Sequence, residues 1–495
     1  MPSPNKQVLV IGAGFAGLSA ASFLAQKGWQ VTVIEQHDMP GGRARKFETN
    51  GFVFDMGPSW YWMPEVFDNF FKEFGKKTAD FYELKRLSPS YRVYFGANDF
   101  IDVPADFQAL LDLFESIEEG SGEKLKKFLS VAEYKYKTGM NEFVWKPSDS
   151  ITEFFDIRIL KSIFKINMFG SVSNEVRALF KNPKLIQLLE FPVLFLGATP
   201  QNTPGLYSLM NYADLVLGTW FPKGGMHEIV KAMTKIAIEQ GVHIHLNEEI
   251  IHIETQNGKA VKVISNQSEY AVDAVVSGAD YAHTDLKLLD KNVANYDENY
   301  WDKKTFSPSS LLFYIGLNKK LKNVIHHNLF FDAPFDEHAY EIYTKPSWPK
   351  KPLFYASAAS ITDPACAPEN GENLFFLIPL APGLNDSEEM REKYFQMICE
   401  RFEKITGENI SDAILFKRSY AMNDFIKDYH SHKGNAYGLA NTLLQTAFLK
   451  PKMRSKKLKN LFYTGQLTVP GPGVPPSIIS GQVAAKETLN YLQQS

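Results

Sequence analysis

The stretch VLVIGAGFAGLSAASFLAQKGWQVTVIE, Val8 to Glu35, decides the fold. Val8–Ile11 is a run of apolar residues suited to a short buried strand, and GAGFAG follows at once. LSAASFLAQKG then has the make-up of a helix that stops at Gly28, and VTVIE supplies a second strand ending on an acid. The spacing predicts a βαβ unit with a GxGxxG turn, the dinucleotide-binding arrangement. Gly12 permits the tight turn, Gly14 lets a pyrophosphate approach the backbone, and Gly17 lets helix and strand pack closely. The helix N-terminus offers free N–H groups and a positive dipole end to phosphates. Glu35 is placed to accept hydrogen bonds from ribose hydroxyls. The same reading accounts for the uncharged run Gln7–Gln26 as a strand and helix, neither a signal peptide nor a membrane span.

The next segment, MPGGRARKFETNGFVFDMGPSWYW (Met39 to Trp62), extends the pattern. Gly41 and Gly42 bring backbone close to a ligand, and Arg43 supplies a fixed cation beside a diphosphate. Asp55-Met56-Gly57-Pro58-Ser59 forms a stiff turn after a strand-like FVF, shaped to lie along a flat ring. These residues alone do not separate NAD from FAD.

Composition bounds the rest. A chain of 495 residues predicts two or three domains, and 44% apolar with 22% charged residues describes an ordinary folded protein. A net charge of -3, with no basic tract or finger spacing, gives no reason to expect nucleic acid. The 38 Phe and 22 Tyr supply flat apolar surface for a large core or for a pocket taking a big apolar ligand. Cys366 and Cys399 form no CxxC, which excludes a disulfide framework or zinc ribbon and fits a reducing, cytoplasmic compartment.

Residues 76–220 are expected to be mainly helical. Within them, SITEFFDIRILKSIFKINMFG (Ser150 to Gly170) sets Arg158, Lys161 and Lys165 on one helical face among aromatic and branched residues. That pattern fits a helix lying in a membrane interface or a core helix with one solvated stripe, and the few cations favour the second. Phe191–Ala213 is uncharged but interrupted by Pro192, Pro200 and Pro204, which argues against a spanning helix and for packing or substrate lining. TWFPKGGMHEIVKAM (Thr219 to Met233) is a second glycine turn entering a helix. Alternation around Asn257-Gly258 then predicts a hairpin, and a third strand is expected over Tyr270–Asp280.

GxGxxG, Glu35, GGR and the DMGP turn resemble FAD-containing oxidoreductases of the amine oxidase and phytoene desaturase superfamily. Four later blocks, in order, are similar to bacterial-type carotenoid desaturases: Pro200–Met226, Ile361–Leu380, Lys433–Phe448 and YTGQLTVPGPGVPPSIISGQ (Tyr463 to Gln482). The resemblance departs at Lys450-Pro451, where Arg-Pro is expected, which puts a local salt link in doubt. It departs also at Gln466, where many relatives place an acid. It implies an α/β fold, a Rossmann-like FAD-binding domain with an inserted mixed α+β substrate domain. Residues 1–75, 220–290 and 455–495 would form the first, and 76–219 and 291–454 the substrate-binding, membrane-associating region. No second GxGxxG unit calls for a separate NAD(P)H domain.

The cofactor implied is FAD. Its expected contacts are Gly12, Ala13, Gly14, Phe15, Ala16, Gly17, Glu35, Gln36, Gly42, Arg43, Met56, Gly57, Pro58, Ser59, Ile250, Gly465, Gln466, Gly473, Val474 and Pro475. The prolines and glycines of Val469–Pro476 would wall the flavin, with a helix starting near Pro475 aimed at its N1 and O2. The implied activity is desaturation of an acyclic or monocyclic carotenoid by hydride transfer to flavin. The competing readings are a carotenoid isomerase, an amine or protoporphyrinogen oxidase, and a non-catalytic carotenoid carrier. No metal is expected. No catalytic side chain is assigned: His227, His326, His327, His430 and His432 are each more economically structural. Whether quinone or oxygen reoxidises the flavin is not written in the residues. The expected location is the cytoplasm, held peripherally on the inner face of the membrane.

Overall fold

The computed structural model describes residues 6–147 and 170–494. Gln7–Ile11 is a strand, buried from Val8 onward, and the helix Phe15–Gln26 follows it with every residue but the last buried. Gly28, at φ 86°, turns the chain into the strand Gln30–Ile34. These two strands pair in parallel at the centre of a five-stranded sheet. Its order is Leu461–Tyr463, Ala274–Ser277, Gln7–Ile11, Gln30–Ile34, His243–His245, and every pairing is parallel. Parallel strands need both faces covered. The first helix covers one face and is itself clamped by the helix Val474–Gln494. That clamp is tight: Ser19 Oγ donates to the Ile478 carbonyl at 2.7 Å, and a Cβ on Gly481 would lie 2.3 Å from the Ala16 carbonyl oxygen.

A three-stranded antiparallel sheet, Ile250–Gln256, Lys259–Ser265 and Glu269–Ala271, is attached beside it, with Asn257 and Gly258 both at positive φ in the hairpin. The expected third strand over Tyr270–Asp280 is two strands in different sheets, Glu269–Ala271 and Ala274–Ser277. The break falls where the Asp273 carboxylate accepts the Gln7 N–H at 2.7 Å, pulling the chain into the parallel sheet.

The second body is a seven-stranded mixed sheet ordered Ile414–Tyr420, Ser309–Leu317, Glu372–Leu380, Phe354–Ser357, His327–Phe330, Tyr91–Gly96, Asp99–Val103. Period-two alternation gives the strand Ser309–Leu317 two apolar faces. Leu311, Phe313 and Ile315 pack toward the helix Glu388–Thr406, while Leu312 and Tyr314 belong to a separate cluster on the other side. Residues 76–220 are less purely helical than the sequence predicts, since Leu84–Arg86, Tyr91–Gly96 and Asp99–Val103 are strands. Their alternation is short, and Asn98 at φ 58° makes the turn that a glycine would ordinarily mark. Together the two bodies form an α/β fold of Rossmann-like type with an inserted α+β region. The Ser150–Gly170 pattern lies outside the described residues except for Gly170. Among the described residues no helix is long and apolar enough to cross a membrane.

Candidate functional site

The GxGxxG turn is built as its glycines demand. Gly12, at φ 90°, donates its N–H to the Ile34 carbonyl at 2.8 Å, and the Ala13 N–H reaches Glu35 Oε2 at 2.8 Å. A Cβ on Gly17 would lie 2.0 Å from the Gly12 carbonyl oxygen, so helix and turn touch there. A Cβ on Gly14 would meet nothing within 4 Å. The two glycines are therefore required for different reasons: one by the protein, the other by the space beside it.

That space is a cavity of about 540 Å³ lying between the two bodies. Every residue expected from the sequence to contact cofactor lines it except Ala13, whose N–H is occupied by Glu35. Glu35 is less free than its role in the sequence reading suggests, because its Oε1 also accepts the His37 N–H at 3.0 Å. Gln36 lines the wall and donates to the Asp428 carbonyl at 2.5 Å. Met56 is fixed through its backbone: its N–H bonds the Arg45 carbonyl at 2.8 Å and its carbonyl accepts the Tyr314 hydroxyl at 2.6 Å. Gly57 passes so close to the Arg43 carbonyl that a Cβ would lie 2.3 Å from that oxygen.

Arg43 is the conspicuous charge. Its guanidinium lies 5.0 Å from the Tyr429 ring centroid, and one Nη bonds Ser431 Oγ at 3.2 Å, while Nε is buried without a partner. Burial pulls its pKa down against the attraction of Asp280, and burial in turn raises Asp280 to about 6 although Arg43 opposes the shift. A cation so poorly neutralised in a buried wall is poised for an anion.

The closing segment returns to this cavity from the far end of the sequence. Leu461–Tyr463 joins the parallel sheet, Gly465 and Gln466 reach the cavity, and Val469–Pro476 lines it, its last three residues opening the helix that begins at Val474. Pro475 and Pro476 sit in the first helical turn, where a missing N–H costs nothing. Asp55 serves the site indirectly. Its carboxylate accepts N–H groups from Met226 at 2.7 Å and His227 at 3.0 Å, holding the Gly224-Gly225 turn and the start of the helix His227–Glu239; burial raises it to about 6.

The opposite half of the cavity is apolar, lined by Trp62, Met140, Phe143, Leu209 and Met210 among others, with Leu312, Leu377 and Tyr355 from the seven-stranded sheet. Trp62 is held by its indole N–H on Thr219 Oγ1 at 2.9 Å. Trp60 stacks on His327 with centroids 4.3 Å apart. Of the histidines, His227 Nδ1 lies 2.8 Å from the Ala44 carbonyl, His326 Nδ1 2.8 Å from Thr362 Oγ1, and His327 Nδ1 2.6 Å from the Tyr355 hydroxyl. His430 stacks on His283, and His432 lies against Phe306. Burial is the main cause of the depressed pKa values of His227, His326, His327 and His432. The sequence reading passed over Tyr429, Ser431, Asn435 and Asn441. Tyr429 ends the helix Met422–Tyr429 and Ser431 lies in the turn after it, while Asn435 and Asn441 fall inside the Lys433–Phe448 block without standing out from it.

The model of one protein family, described as flavin containing amine oxidoreductase, matches residues 15–489. The chain belongs to that family. Within it, this oxidoreductase is 38% identical over 484 residues to a carotenoid 3,4-desaturase of Haloarcula japonica, covering 97% of the chain and 98% of the relative. It is 29% identical over 495 residues to a zeta-carotene-forming phytoene desaturase of Myxococcus xanthus, covering 98% and 94%. Solved structures share the fold at low identity. An oxidoreductase of Methanosarcina mazei gives a TM-score of 0.61 at 17% identity over 96% of this chain and 98% of that one. A putative protoporphyrinogen oxidase of Exiguobacterium gives 0.63 at 13% over 99% of each. The chain stands with the carotenoid desaturases of the family and is an FAD-dependent oxidoreductase. The residues present fit that cofactor: an open face at Gly14, a buried unpartnered Arg43 Nε, and a helix N-terminus at Phe15.

Proposed function

We propose that this chain removes two hydrogens from a C–C single bond next to a polyene, in an acyclic or monocyclic carotenoid. The observation that carries the proposal is the continuity of one cavity, with dinucleotide loops at one end and apolar side chains at the other. FAD, when bound, would supply the two-electron acceptor for the hydrogens removed. The chain's own part is binding, orientation and exclusion of water. Gly12–Gly17, Gly42 and Arg43 would hold the diphosphate, Glu35 the ribose, and Ile250 would lie against the adenine. Met56–Ser59, Gly465, Gln466 and Gly473–Pro475 would frame the ring system. The division into residues 1–75, 220–290 and 455–495 for cofactor, and 76–219 and 291–454 for substrate, accords with where the strands of the two large sheets arise.

Among the described residues, the lining carboxylates are Glu35, Glu248, Glu249 and Asp280, all on the dinucleotide side. An amine substrate would thus find no counter-charge in the apolar half, which favours a hydrocarbon. Shape discriminates such substrates by only about 1–3 kcal/mol per methylene, so related carotenoids should compete. Expression in a host supplying several carotenoid precursors, followed by pigment chromatography, should give products with lengthened conjugation. Products of unchanged oxidation level would establish isomerisation instead, and peroxide release from amines with no action on carotenoids would remove the proposal.

We place the protein at the inner face of the membrane, attached peripherally, because its substrate partitions into lipid. Gly139, Met140, Phe143 and Val144 line the apolar end and directly precede the basic-aromatic pattern of Ser150–Gly170 in the chain. Liposome flotation should show binding that Lys161→Glu with Lys165→Glu weakens. Unchanged flotation in the double variant would discard that attachment site.

A further inference from the structure

Lys450 is buried at 3% exposure, and its ammonium nitrogen has no hydrogen-bond partner. Nothing in its surroundings compensates for burial, which pushes it down to about 7. Such a group is costly to keep, and a methionine would fill the same volume without the penalty. Its position supplies a reason. A Cβ on Gly471 would lie 3.1 Å from Lys450 Nζ and 3.3 Å from Asn441 Oδ1, so both side chains converge on Gly471 of the proline loop. Gly471 and Asn441 line the cavity, and Asn441 Oδ1 is likewise buried without a partner. Gly471 itself, at φ 137°, is a position that only glycine occupies easily.

We infer that Lys450 is a positioning residue that backs the proline loop with positive charge, set to stabilise negative charge on the ring system held against the loop's cavity face. The inference rests on the proposed placement of Val469–Pro476 along the flavin. It also explains why a lysine serves where relatives were expected to carry arginine: either cation supplies the charge, and no carboxylate is required as a local partner. A buried charge acts at longer range than a surface one because solvent does not screen it.

The test uses the FAD-loaded protein and its apoprotein. In Lys450→Met the bound flavin should become at least tenfold harder to reduce at equilibrium, which is about 30 mV for a two-electron couple. The same variant's apoprotein should melt at or above the wild-type temperature, since an uncompensated buried cation has been removed. Lys450→Arg should restore the potential. A lysine whose role is only to brace the loop through Asn441 predicts the reverse: a lower melting temperature and an unchanged potential. That result would overturn the inference. Val474→Asp separates it from the reading beneath. Aspartate in the first turn suits a helix, so the fold should persist while the added charge lowers the potential. An unmoved potential in Val474→Asp removes the loop placement and the Lys450 inference together. A potential lowered in Val474→Asp but not in Lys450→Met removes the Lys450 inference alone.

Discussion

Gly14→Val should abolish FAD binding, raising Kd by at least a hundredfold, while the apoprotein melts within about 2 °C of wild type. Gly14 has φ -73° and ψ 177°, a conformation open to any residue, and no protein atom lies within 4 Å of where its Cβ would go. Nothing in the folded chain therefore resists the substitution. The new methyls would project into the cavity, where the expected diphosphate must touch backbone. Gly17→Ala should behave in the opposite way. Its Cβ would sit 2.0 Å from the Gly12 carbonyl oxygen, so the turn must move and the protein should lose stability with or without FAD. Titration of flavin fluorescence with parallel melting of the apoproteins distinguishes the two glycines. Normal FAD affinity in Gly14→Val would place the diphosphate elsewhere.

Arg43→Met should weaken FAD binding by about 10–150-fold, the equivalent of one charged hydrogen bond at roughly 1.5–3 kcal/mol. The guanidinium is buried against Tyr429, with Asp280 as its nearby opposing charge, and carries an unpartnered Nε. Removing it takes away the fork that matches phosphate geometry. Arg43→Lys should recover only part of the loss, because a point charge on a flexible stem cannot reproduce that fork. The apoprotein should not be destabilised in proportion, since the lost cation was poorly neutralised. An affinity within threefold of wild type in Arg43→Met would assign Arg43 to the Ser431 loop rather than to cofactor.

The N-terminal half of the site was legible because its determinants are local. Strand, turn, helix and acid succeed one another within Val8–Glu35, and Gly17 answers to a contact with Gly12 a few residues away. The closing loop was legible in composition but not in position. Four prolines and two glycines in Val469–Pro476 announce stiffness, yet only pairing of Leu461–Tyr463 with Ala274–Ser277 carries them to the cavity. Resemblance supplied that long-range link; the residues alone did not. What escaped the sequence were roles set by packing across hundreds of residues. Asp55 looked like part of a turn and instead holds the start of a distant helix, and Tyr429 meets Arg43 from the last residue of the helix Met422–Tyr429, far along the chain. Lys450 drew notice as a departure from pattern, but its isolation is a property of three-dimensional burial.

The seven-stranded sheet bears on how such a protein can change over time. Leu312 pairs with Leu377, and Leu377 with Tyr355, so these three form one row across the cavity face. Phe313, Phe376 and Ala356 form the adjacent row in the opposite core. The pleat thus sorts a single set of strands into two inheritances. Exchanges in the first row would reshape what the enzyme accepts, and exchanges in the second would tax its folding. A lineage can therefore drift from one pigment to another by altering alternate residues, without renegotiating the scaffold that holds them.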